Sequence, residues 1–280
     1  MVDNRTLAVV VCHLYGYLAD LDVVREIAAP QGIPVIDDAA QAMGADFRGK
    51  PAGTCGDAGL FSLSRGKNIN AVDGGIIVTD REDLAGVLER FTLPDAAEGT
   101  PRLFLKALLL SALLRPSLYW LPRSLPFLNL GASVYDPVFP CAPFTSFQAG
   151  IARRMLARLQ EITAGRRRVA RDLCTRLSRT PGVAIIAAGT NEEPVYPRLP
   201  VLVSAGRSVR EVPELGVVRS YPTPLTSIPA LRPHLRNCPD VFAGAEHLAD
   251  RILTLPTHRF VTGYDLKRIV DYCGRLGTYF

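Results

Sequence analysis

Apolar positions in the first part of the chain switch between short continuous runs and helical spacing. Leu7 to Cys12 (LAVVVC) is an unbroken apolar run, the pattern of a buried strand. Leu21, Val24, Ile27 and Ala28 then recur at helical spacing, and Asp20 precedes them where it can accept a first-turn N–H, so the segment predicts a capped helix. Gly32 stops it, and Ile33 to Asp38 (IPVIDD) reads as a second strand. LFSLS (Leu60 to Ser64) and GGIIVTD (Gly74 to Asp80) predict two further strands on either side of Lys67. Asp80 then opens an acidic first turn into the helical segment EDLAGVLERF. Strands alternating with helices predict an α/β fold with a mostly parallel sheet covered on both faces, where ligands sit at the carboxyl ends of strands.

After Phe91 the pattern changes. Leu103 to Leu130 is strongly apolar, yet Lys106, Arg115 and Arg123 recur through it and Pro116, Pro122 and Pro126 would break a spanning helix. The segment is expected to be a helical insertion covered by the same chain or a partner subunit, with contact to a membrane surface as the alternative. A long helical region resumes near Thr145: Phe147, Ile151, Met155, Leu159 and Ile162 recur every four or three residues, while Arg153, Arg154 and Arg158 fall elsewhere and read as a solvated basic face. Pro181 and Gly182 close it. Short strands (VAII, PVYPRLPVLV, ILTLP) and a last helix around Asp265 to Arg275 follow. The expected organisation is a large domain over residues 1–180, carrying the insertion at about 100–140, and a smaller α+β domain over 181–280.

Composition narrows the function classes only a little. The 280 residues are 48% hydrophobic and 21% charged, an ordinary globular balance that excludes disorder. The net charge of +5 is spread along the chain, which suits an acidic small ligand such as a nucleotide diphosphate better than nucleic acid. Six cysteines lie scattered without a CxxC pair, so neither a zinc site nor a disulfide framework is expected, and reduced thiols in the cytoplasm are the simplest account.

Three segments carry candidate chemistry: HLYG at His13 to Gly16, VIDDAAQA at Val35 to Ala42, and LFSLSRGKN at Leu60 to Asn68. An acidic pair closing a buried strand is costly without a cationic partner, so Asp37 and Asp38 must reach solvent or meet something positive; capping the next segment accounts for at least one of them. Lys67 follows a loop holding Ser62, Ser64 and Gly66, residue types able to offer hydroxyl and N–H donors to an anion. A strand-end carboxylate, a serine-bearing loop and a lysine are together what pyridoxal phosphate (PLP) chemistry needs: an imine-forming amine, a carboxylate on the pyridine nitrogen, and hydroxyls on the phosphate.

In order and spacing, HLYG, then IPVIDDAAQAMGADFRGKPAGTCGDAGLFSLSRGKN, then DGGIIVTD resembles the DegT/DnrJ/EryC1/StrS family of PLP-dependent sugar aminotransferases. The match is dense from Leu7 to Arg90 and looser at GVVRSYPTPL and AEHLADRILTLPTH. The resemblance implies the aspartate aminotransferase-like fold type I. It makes Lys67 the Schiff-base lysine and proton carrier, Asp38 the partner of the pyridine nitrogen, Gln41 a neighbour of the cofactor ring and Ser62 a phosphate contact. Asp37 and His13 are expected to be structural. The implied reaction is transfer of an amino group, from Glu or Gln, to a nucleotide-linked keto-sugar by a homodimer; a dehydratase branch has His in place of the lysine.

Two departures qualify these expectations. The family carries a Gly-Thr phosphate loop and a ring-stacking aromatic residue before the HLYG strand, a segment that this sequence starts after, so an incomplete large domain is expected. The family's NYRMSELQAA, which contributes an asparagine to the neighbouring site, reads CAPFTSFQAG here, with Cys141 at that position. Asp73 in DGG replaces a glutamate, a milder change. A catalytically silent truncated paralogue, or a partner subunit of a complete aminotransferase, is therefore the alternative to an active enzyme.

Overall fold

The computed structural model describes residues 2–91, 100–113, 142–189, 192–204, 209–236 and 242–276. The distal part of the apolar insertion, and Cys141, lie outside the described residues. The chain divides into two compact units, one of Met1–Leu114, Cys141–Arg167 and Ala188–Pro197, the other of Arg115–Pro140, Arg168–Ala187 and Arg198–Phe280.

The first unit is built on a four-stranded sheet. Strands β1 (Val9–Cys12), β2 (Val35–Asp38), β5 (Ala58–Ser62) and β6 (Gly75–Val78) lie in the order β1-β2-β5-β6. The first two pairings are parallel and the third antiparallel. Parallel return needs a crossover, and residues 63–74 form turns instead of a helix, so β6 runs back beside β5 and leaves Lys67 in the connection. A short hairpin, β3 (Asp46–Phe47) and β4 (Lys50–Pro51), lies between β2 and β5 in sequence. Helix α1 (Leu21–Ala28) is capped as expected, with Asp20 accepting from the N–H of Asp22 and Val23. Leu21, Ala28, Ile33, Val35, Phe47 and Val195 join one buried core.

The pleat sends alternate residues to opposite faces. Val11, Val35 and Asp37 are buried on one. The other carries Val10, Cys12, Ile36, Asp38, Leu60 and Ser62, and here Val10 is 58% and Ile77 51% exposed. The expected cover on both faces is thus found, among the described residues, on one face only; alternation of buried and exposed positions within VVVC marks this more truthfully than its uniform hydrophobicity does, and at the edge strand no residue of GIIV is buried.

Helices α2 (Glu82–Phe91) and α3 (Thr100–Leu113) follow β6. The expected long helix near Thr145 is two, α4 (Ser146–Leu156) and α5 (Leu159–Leu177). Between them the Ala157 N–H reaches the carbonyls of both Arg153 and Met155, and Arg158 N–H turns to Met155 O at 3.0 Å, which breaks the i→i−4 ladder without proline or glycine. Arg153, Arg154 and Arg158 are exposed, as expected.

The second unit holds an antiparallel sheet, β7 (Val183–Ile185), β8 (Arg198–Val203) and β9 (Ile252–Pro256), with α6 (Ala243–Arg251) and α7 (Gly263–Leu276). Of PVYPRLPVLV only its second half is strand. Arg198 binds β8 to β9 through Nε to Thr254 Oγ1 at 2.7 Å and Nη2 to Thr254 O at 2.8 Å.

Candidate active site

The carboxyl ends of β1, β2 and β5 coincide, and parallel register sets Cys12 opposite Asp38 and Asp38 opposite Leu60. Cross-strand partners project to the same side, so Cys12, Asp38 and, two residues on, Ser62 share the open face. Lys67 comes back to this group. Burial lowers its ammonium below the ordinary lysine value, while the negative charge of Asp38 and then Cys12 raise it again. The Cys12 thiol feels the same neighbours: desolvation first, then Asp38, push it up to about 11, with Lys67 acting the other way. Lysine, carboxylate and thiol therefore form one electrostatic cluster, in a medium that favours the neutral amine.

The lysine-bearing turn is supported from several sides. Leu63 N–H donates to Gly74 O and Ala71 N–H to Leu63 O, both at 2.8 Å, closing the base of the loop. Asn68, buried, donates Nδ2 to Met43 O at 2.9 Å. Arg166 reaches Lys67 O with Nη2 at 3.4 Å and Pro197 O with Nη1 at 2.9 Å, and its burial lowers the guanidinium to about 10. Gln148 completes a capping box with Thr145 and extends Nε2 to Asp73 O at 3.1 Å. Below, Met43, Leu63, Ile69, Ala71 and Ala152 make a core against Ile151, Met155 and Leu159 of the stripe on α4 and α5. Gly74 sits at φ +99°, and a Cβ there would stand 2.7 Å from the Phe144 ring, so this turn requires glycine.

Ser62 Oγ lies 2.9 Å from Ser64 Oγ, two hydroxyls side by side at the end of β5. Gln41 Oε1 accepts from Tyr15 N–H at 3.0 Å, which ties the segment after β2 to the HLYG turn. Asp38 Oδ1 accepts Ala40 N–H at 3.0 Å, the local cap foreseen for one of the two acids. Asp37 is the other case: fully buried, it accepts Gly53 N–H at 2.8 Å and Cys55 N–H at 3.0 Å on Oδ2, and its Oδ1 is 2.8 Å from His13 Nε2, close in distance though not aligned as a hydrogen bond. His13 Nδ1 accepts Ala19 N–H at 3.0 Å, so the ring proton belongs on Nε2. Asp73, the replacement for a glutamate, pairs with Lys106 of α3.

Cys12 and Arg166 escaped the sequence reading. Cys12 was visible as the last residue of a strand parallel to VIDD, where equal strand lengths bring the two ends together. Arg166 sits in an arginine-rich stretch, and nothing in the spacing separates it from its solvated neighbours.

A family model described as the DegT/DnrJ/EryC1/StrS aminotransferase family matches residues 1–106 and 142–273. An L-glutamine:scyllo-inosose aminotransferase of Streptomyces griseus is 45% identical over 84 residues, 30% of this chain and 20% of that protein. A GDP-perosamine synthase of Caulobacter vibrioides is 29% identical over 285 residues, 96% of this chain and 66% of that protein. The chain thus spans about two thirds or less of the length of these curated relatives. Among solved structures, the aminotransferase TlmJ from Streptoalloteichus hindustanus superposes with a TM-score of 0.73 at 22% identity, over 98% of this chain and 67% of that one, so the fold is shared. On its motifs, its fold and the extent of the family match, this chain belongs to the DegT/DnrJ/EryC1/StrS aminotransferase family.

Proposed function

We propose that the protein transfers an amino group, from glutamate or glutamine, to a nucleotide-linked keto-sugar with PLP as cofactor, and works as a homodimer. The observation that carries this reading is the placement of Lys67, partly desolvated, in the same electrostatic cluster as Asp38 at the carboxyl end of a parallel sheet. The donor set fits the cofactor: an amine with a lowered ammonium pKa, a carboxylate one strand away, and the paired hydroxyls of Ser62 and Ser64. When bound, PLP supplies an electron sink that lets an amino group leave one carbon and arrive at another. Lys67 attaches the cofactor and carries the proton at the reacting carbon. Asp38 keeps the proton on the pyridine nitrogen, Ser62 donates to the phosphate, and Gln41 lines the ring side. Lysine at position 67, where the dehydratase branch has histidine, favours transamination. The free thiols Cys12, Cys55, Cys174 and Cys273 agree with a reducing compartment, the cytoplasm, where nucleotide sugars are made.

The test is an absorbance spectrum of the purified protein after adding PLP, followed by borohydride reduction and peptide mapping. A visible band trapped on Lys67 and lost in Lys67→Ala is the expected result, and it leads to amino-donor screening. No label on Lys67 with excess PLP would overturn the reading and favour a silent partner subunit.

A further inference from the structure

We propose that Arg166 is a positioning residue for Lys67, its guanidinium locking the stretch of main chain from which the reactive amine projects. A lysine side chain is a flexible four-carbon stem, so the place at which its reach can be fixed is the root. Here the root is a four-residue turn: Lys67 N–H donates to Ser64 O at 3.4 Å, with Gly66 at φ +82° in the position that favours glycine. Asn68 and Gln148 brace the rest of the loop through the carbonyls of Met43, Ala71 and Asp73. Arg166 takes the carbonyl of Lys67 itself, with Nη2 at 3.4 Å, so both main-chain polar groups of the lysine are engaged.

Rigidity comes from what stands behind the guanidinium. Its Nη1 donates to Pro197 O at 2.9 Å, so one planar fork spans two carbonyls that lie 99 and 31 positions away in sequence. Pro197 ends a tightly seated segment. Val195 is fully buried and its N–H donates to Gly16 O at 3.3 Å, and a Cβ at Gly16 would stand 2.8 Å from Val195 and 2.9 Å from Pro197. The next arginine, Arg167, holds the same segment at Pro194 O, 3.1 Å away, and pairs with Glu193 at 3.2 Å. One turn back on α5, Thr163 is buried against Gly44, where a Cβ would stand 3.0 Å from its Oγ1, so the helix meets the segment that Asn68 holds. All of these residues lie in the first unit. The HLYG turn, the 193–197 segment and α5 thus form a frame, and Arg166 is the member of it that touches the lysine. Asp38 and Cys12 are the charged groups that act on the Lys67 amine, so Arg166 works through the placement of the main chain and not through its own charge.

Placement matters to catalysis only if Lys67 is the reactive amine, so the inference rests on the function proposed above, and its test reads Lys67 without cofactor. Acetylation of Lys67 by acetic anhydride in the full chain is followed by peptide mass spectrometry across a pH series. Arg166→Met removes both donors, and Arg166→Lys keeps the charge but not the fork. In both, the freed turn lets the amine swing toward water, where burial no longer lowers its ammonium as far. The midpoint of the labelling profile is expected to rise by about one pH unit, toward the ordinary lysine value. Leu173→Ala, which truncates a buried side chain further along α5, is expected to lower the unfolding midpoint and leave the Lys67 profile where it was. Should Arg166→Met not fold, Arg166→Lys decides alone. A midpoint unchanged in Arg166→Lys overturns the proposal, whether or not Arg166→Met moves it, because the effect would then be one of charge; so does an equal shift in Leu173→Ala. Borohydride trapping of PLP is the separate readout: its absence from wild-type Lys67 overturns the proposed function, while the cofactor-free shift would still assign to Arg166 the placing of this amine.

Discussion

His13 Nε2 lies 2.8 Å from Asp37 Oδ1, and both side chains are fully withdrawn from solvent. The contact joins the turn after β1 to the last residues of β2, and the other oxygen of Asp37 holds the loop at Gly53 and Cys55. Its role is to fix the strand end from which Asp38 projects.

Replacing His13 by alanine leaves Ala19 N–H without its acceptor and one carboxylate oxygen facing an empty space. Each unpaired buried group costs roughly 1–3 kcal/mol, so His13→Ala is expected to lower unfolding free energy by at least that amount in a urea titration. Asn, which keeps acceptor and donor capacity on a shorter chain, should recover part of the loss. A midpoint unchanged from wild type would mean the pair is dispensable.

Much of this arrangement was legible in the sequence alone. The Asp20 cap, the strands at LAVVVC and IPVIDD, and the local cap at Asp38 follow from side-chain chemistry acting within a few residues. Direction was not legible: periodicity is the same for parallel and antiparallel strands, so the return of β6 depends on the turn-forming content of residues 63–74 and not on its own GIIV. Nor does the stripe through Phe147, Ile151 and Met155 reveal the break at Ala157, because the apolar spacing continues across it. Arg166 is the clearest case. Its hydrogen bond to Lys67 O spans 99 positions of sequence, a distance over which only the packed chain can bring two residues together.

The cluster around Lys67 has a measurable sign. Burial lowers its ammonium pKa and Asp38 opposes that shift, so removing the carboxylate lets burial act unchecked. Asp38→Asn should therefore lower the Lys67 pKa further and enlarge the neutral fraction at pH 8. Without added cofactor, acylation of Lys67 read by peptide mass spectrometry is expected to quicken several-fold. Slower labelling in the variant would contradict the electrostatic assignment.

Cys12 responds in the opposite sense. Although part of the residue faces solvent, desolvation and the nearby Asp38 push its thiol up to about 11, so the thiolate is scarce at pH 8 and alkylation is slow. Its rate with iodoacetamide should climb through pH 10 toward 11. Asp38→Asn is expected to move that rise to lower pH, and Lys67→Ala, which removes the stabilising cation, to move it higher. A thiol titrating at its ordinary value in the wild type would place Cys12 away from the carboxylate.

A very tight backbone approach lies beneath the same site. A Cβ on Gly59 of β5 would stand 1.6 Å from Gly53 O and 2.6 Å from its carbonyl carbon, both backbone atoms that cannot rotate aside. Gly53 in turn donates to Asp37 and has φ +88°, and a Cβ added there would meet the Phe61 ring at 2.2 Å. Gly59→Ala must therefore displace the loop that satisfies Asp37, and overpacking of this kind costs about 1–3 kcal/mol, with the loss of two buried hydrogen bonds added. Gly86, exposed in α2 with nothing within 4 Å of a Cβ, provides the control: Gly86→Ala should raise stability by about 0.5–1 kcal/mol. Thermal melts of the two variants should thus shift in opposite directions, and a Gly59→Ala melt at or above wild type would mean that β5 and the 53–55 loop do not touch.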